Sequence, residues 1–118
     1  MRTTRLASLA LAAALAACGG GGDDGGPSGP SPSANVTVDA TPQLTFTPAT
    51  VTIAAGRTVT FRFSSVPHNV LFDAVTGAPG SIPAPTSNAS VARTFPTAGT
   101  YPYECGLHPG MAGTVVVQ

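Results

Sequence analysis

Thirteen residues, VTIAAGRTVTFRF (Val51–Phe63), constrain this chain's fold more than any other stretch. Val59, Phe61 and Phe63 alternate with Thr58, Thr60 and Arg62. Period two puts the apolar side chains on one side of an extended strand and the polar ones on the other. A strand divided in this way must cover its apolar side with a second layer. Val51 and Ile53 open the stretch, and Ala55–Gly56 reads as a turn between two strands. Further segments have the same character. VTVD places Val36 and Val38 on one face, and LTFT puts Leu44 and Phe46 together. VARTF offers a short strand before the turn PTAG. TYPYEC sets Tyr101, Tyr103 and Cys105 on one side, and GTVVVQ closes the chain as a β-branched strand. No segment carries a helical period. Short strands separated by Gly/Pro turns predict an all-β fold, a β-sandwich. Ala74–Ser90, AVTGAPGSIPAPTSNAS, fits no strand pattern and reads as a long surface loop with at most a short strand in it.

This pattern starts only at about Asn35. Before it, residues 1–18 have a basic start (Arg2, Arg5) and an apolar run from Leu6 to Ala17 that is too short to span a bilayer. That is the pattern of an export signal. Its ending, LAAC, resembles the lipobox of bacterial lipoproteins, which implies a lipid on Cys18 as the mature N-terminus. The other reading is an ordinary cleaved signal with Cys18 incidental. Residues 19–34, GGGGDDGGPSGPSPSA, hold nothing to anchor a core and read as a flexible tether. Random-coil scaling gives it a span of about 20 to 25 Å. The expectation is an exported domain, residues 35–118, held by lipid near a membrane in a bacterial periplasm or at the cell surface.

The domain is near the size at which one core is only marginally stabilising, so a bound metal would help it fold. Its charges are Arg57, Arg62, Arg93, Asp39, Asp73 and Glu104, which balance, and it has no lysine. With no basic patch, nucleic acid is not an expected partner. Its one cysteine, Cys105, cannot form an internal disulfide. It is a free thiol, an intermolecular bridge or a metal ligand.

Candidate soft or borderline ligands are few. Cys105, His108 and Met111 lie three apart in YECGLHPGM, and the remaining histidine, His68, lies in SVPHNVLF. A sandwich can bring two such loops to one end. Taken singly, each has a bland reading: a solvated histidine, a core methionine, a small buried thiol. Together they match one metal. Structural zinc usually takes more thiolates or a closed Cys/His set, and calcium and magnesium take oxygen. Two imidazoles and a thiolate with a weak axial thioether form the blue-copper electron-transfer arrangement.

On these residues the chain resembles the cupredoxins, the type 1 blue copper proteins. VPHNVLF and YPYECGLHPGMAGTVVV resemble their two copper loops, and FTPATVTIAAGRTVTF resembles the first part of their sandwich. The family includes plastocyanins and amicyanins. The short Cys-x-x-His-x-x-Met loop with Pro109 after the histidine is most similar to that of amicyanins. The resemblance implies a Greek-key β-sandwich binding one copper ion (Cu+/Cu2+) through His68, Cys105, His108 and Met111. It implies that the Asn69 N–H points at the cysteine sulfur and that the Asn69 side chain ties the two loops together. Gly106 departs from the commoner Ser or Thr after the cysteine, so that side chain must reach a backbone group. It also implies an apolar docking patch of Pro67, Leu107 and Pro109 around His108.

The expected function is electron transfer between exported redox partner proteins, by a non-enzymatic monomer. Multicopper enzymes need many histidines, and the chain has two. A binuclear centre needs a second cysteine in the loop. The alternative is a carrier or buffer that delivers copper to another exported protein.

Overall fold

The computed structural model describes residues 33–118. Cys18 and residues 19–32 of the expected tether lie outside the described residues, whereas its last two residues, Ser33 and Ala34, already belong to the first strand, Ser33 pairing with Ile53. Among the described residues eight strands make up the fold: β1 (Ser33–Ala40), β2 (Phe46–Thr47), β3 (Thr50–Phe63), β4 (His68–Phe72), β5 (Ile82–Thr86), β6 (Ala89–Phe95), β7 (Gly99–Glu104) and β8 (Ala112–Val117). They form the sandwich that the alternation predicts. One layer is built on β1, the second half of β3 and β6. The other runs from the first half of β3 through β8, β7 and β4 to β5.

The sheet partners of β3 correct the expected turn at Ala55–Gly56. Thr50–Ile53 runs parallel to Thr114–Val117 of β8, whereas Arg57–Phe63 runs antiparallel to β6. The chain does not reverse between them. It changes layers through Gly56, whose φ of 85° lies in the left-handed region that glycine adopts without strain.

Inward residues of the two layers meet as the period-two pattern requires. Val59, Phe61 and Phe63 are buried, as are Tyr101 and Tyr103 of β7. Phe61 meets Tyr103 edge-on at 5.3 Å and Phe72 at 6.1 Å, and Phe95 stands 5.7 Å from Phe72. Each such buried side chain contributes about 1.5–3 kcal/mol. Leu44 and Phe46 do not share a face. Phe46 is in the core, but Leu44 is 43% exposed with a φ of 62°. A tight turn explains this: Leu44 N–H donates to Thr41 O and Thr41 N–H to Thr45 O. The 74–90 segment is likewise not all loop. It contains β5 and the first residues of β6, and Arg93 fixes the stretch before β5 by donating to the carbonyls of Gly80 and Ser81.

Candidate metal centre

Two loops at one end of the sandwich supply the site. His68 begins β4, and Cys105 directly follows β7. The seven residues from Cys105 to Met111 form a closed turn between β7 and β8. Cys105 N–H donates to Met111 O at 2.8 Å and Met111 N–H to His108 O at 3.1 Å. Gly110, with a φ of 86°, makes the bend that lets Met111 return to the core.

His68, Cys105 and His108 place one donor atom each within 4.8 Å of one another. The two Nδ1 atoms are 3.1 Å apart. Cys105 Sγ lies 3.9 Å from His68 Nδ1 and 3.6 Å from His108 Nδ1. These separations are what pairs of bonds of about 2 Å to one shared ion would span. His68, Cys105 and Met111 are buried, and His108 is half-buried. Around it Pro67, Leu107 and Pro109 are exposed, Leu107 by 42%. Because Cys105 is a free thiol at 2% exposure, no second copy can bridge to it in the folded domain.

The tautomer of His68 follows from its far nitrogen. Nε2 lies 2.9 Å from Thr41 O. A carbonyl only accepts, so Nε2 carries the proton, and the neutral ring turns the Nδ1 lone pair toward Cys105 and His108. Burial lowers the His68 pKa from its ordinary value. The Thr41 bond opposes that shift and the charge of His108 adds to it. The protein thus holds this imidazole in its ligating form. Thr41 leaves no trace in the sequence, because the contributing group is a main-chain carbonyl.

Asn69 is buried beside His68. Its N–H points at Cys105 Sγ at 3.5 Å, and its Oδ1 accepts from Gly106 N–H at 2.7 Å. Its Nδ2 donates to Pro83 O at 3.2 Å, a partner that sequence reasoning did not find. Glycine at 106 also has a packing reason. A Cβ there would come within 2.8 Å of Leu71 Cδ1.

A β-sandwich with two imidazoles, one thiol and a thioether gathered at one end is a cupredoxin with a donor set suited to type 1 copper. The family model of the copper binding proteins, plastocyanin/azurin family, matches residues 32–118, and the chain belongs to that family. Its cofactor is one type 1 copper ion. A plastocyanin from Scenedesmus fuscus is 40% identical over 86 residues, covering 64% of this chain and 88% of the relative. Among solved structures, an oxidised amicyanin variant is 34% identical with a TM-score of 0.62, covering 70% of this chain and 81% of that one. A copper-containing nitrite reductase from Thermus scotoductus is 26% identical with a TM-score of 0.58. That match covers 76% of this chain but only 23% of the reductase.

Proposed function

We propose that this chain carries single electrons between exported redox proteins, with His68, Cys105, His108 and Met111 holding the copper. Bound there, copper supplies a Cu(II)/Cu(I) couple. One observation carries the reading: three donor atoms lie within 4.8 Å of one another, and only His108 reaches toward solvent. Buried ligands keep water from the metal. A fixed fold keeps the donor set nearly unchanged when the charge changes by one, so little rearrangement opposes transfer. The half-buried ring of His108 is the short way out, and the exposed, uncharged Pro67, Leu107 and Pro109 form the surface on which a partner docks.

Enzyme chemistry is not part of the proposal. The reductase it resembles is far longer, and both histidines of this chain already belong to the one site. Export, lipidation at Cys18 and a tether that ends where β1 begins at Ser33 complete the proposal, holding the carrier close to membrane-bound donors or acceptors.

The test is optical and electrochemical. Cu(II) added to the purified domain should give an intense thiolate-to-copper absorption band and a reversible one-electron couple. Cys105→Ala should lose the band entirely. A colourless protein that binds only Cu(I) and exchanges it readily would replace this reading with copper delivery.

A further inference from the structure

The edge strand β5 meets β4 out of step. His68 lies opposite Thr86, and Val70 lies opposite Ile82. A single residue of β4, Asn69, therefore faces three of β5: Pro83, Ala84 and Pro85. In a regular antiparallel pair one residue faces one, so β5 carries a bulge here, and bulges re-aim the side chains beside them. Neither proline has an N–H to give to the ladder. The Pro83 carbonyl takes its donor from a side chain instead of a strand amide, Asn69 Nδ2 at 3.2 Å.

We infer that the Pro83-Ala84-Pro85 bulge is a positioning element for the copper site, acting through Asn69. A carboxamide can turn over, exchanging its oxygen and nitrogen. Pro83 O only accepts, so it keeps Nδ2 on its side and leaves Oδ1 for Gly106 N–H at 2.7 Å. That bond holds the main chain next to Cys105, where the Asn69 N–H meets Sγ at 3.5 Å. A hydrogen bond to a ligand sulfur draws electron density from it and so tunes the metal. With alanines in place of the prolines, β5 would regain donors that compete for Oδ1. The segment that looked like an unexplained surface loop thereby becomes part of the site's support.

The inference rests on the electron-transfer reading for its consequence, but its geometry can be tested without copper. The variants are Pro83→Ala/Pro85→Ala, Asn69→Ala and the triple combination. Pro83 and Pro85 are exposed, so the first variant leaves the core intact. In copper-free protein with chelator, hydrogen exchange of the Gly106 amide is followed by NMR. Exchange should quicken about tenfold in Asn69→Ala and severalfold in the proline variant, with no further gain in the triple variant. In copper-loaded protein, the proline substitutions should shift the reduction potential when Asn69 is present and not when it is absent. If Asn69→Ala does not fold, Asn69→Ser serves as the second background. Gly106 exchange and potential at their wild-type values in the proline variant would overturn the inference, as would equal shifts in both backgrounds. If the wild-type domain showed no reversible couple, the electron-transfer reading would fall, while Gly106 exchange would still decide the role of the bulge.

Discussion

Two tyrosines two positions apart show how much one atom's surroundings matter. Tyr101 Oη donates to Thr97 O at 2.7 Å, whereas Tyr103 Oη is buried with no partner among the described residues. Burial alone raises the Tyr103 pKa above the usual phenol range. An unpaired buried hydroxyl is destabilising, so Tyr103→Phe should leave the urea midpoint unchanged or raise it. Tyr101→Phe should cost about 0.5–1.5 kcal/mol. His68 predicts a pH dependence. Its folded pKa is below 6.5, so the unfolded chain binds more protons between the two values. Stability of the copper-free domain is therefore full above 6.5 and is lost as the pH falls toward the folded value. The groups facing His68 there are His108, Cys105 and the Thr41 carbonyl. Urea midpoints in chelator should be lower at pH 5.5 than at 7.5, about 1 unit either side of the reference value. His68→Gln, which keeps a donor for Thr41, should flatten that difference.

At the level of strands, local spacing was legible and register was not. Cys105, His108 and Met111 could be grouped because they share one short loop, and His68 because no other histidine was available. The alternation of β3, β7 and β8 identified their buried faces. Three features escaped: the layer change at Gly56, the outward turn of Leu44 and the bulge of β5. The first and last depend on which strand lies alongside, information spread over residues far apart in the chain, whereas Leu44 is turned out by the local Thr41–Thr45 turn. The dependence on neighbouring strands also governs Gly113 of β8. A Cβ there would overlap Cζ and Oη of Tyr103 and come within 2.9 Å of Ala49 O. Tyr103 is wedged between layers and cannot withdraw, so Gly113→Ala should destabilise by about 1–3 kcal/mol in denaturant titration. An unchanged midpoint would show that the packing against β8 is looser than described.

Across the described residues, the loops at the copper end carry no charge, although the exposed Glu104 directly precedes Cys105. Residues 41–49, 64–70 and 105–111 contain no Asp, Glu, Lys or Arg. Asp39 and Arg62, opposite each other on β1 and β3, neutralise one another through bonds of 2.5 and 2.8 Å. Two copies meeting copper end to copper end therefore feel little long-range force. Electron self-exchange, followed by NMR line broadening in mixed-valence samples, should change by less than about twofold between low and physiological salt. A steep salt dependence would mean that Glu104 or the Arg62–Asp39 pair enters the contact. The burial of Cys105 has a consequence for the time before metal arrives. In the exported setting proposed above, oxidants would spend an open thiol on sulfenic acid or mixed disulfides. At 2% exposure the sulfur is shielded from bulky thiol and disulfide reagents, with the Asn69 N–H and two imidazole nitrogens its nearest polar company. That burial slows the loss of the thiol ligand before the ion is bound.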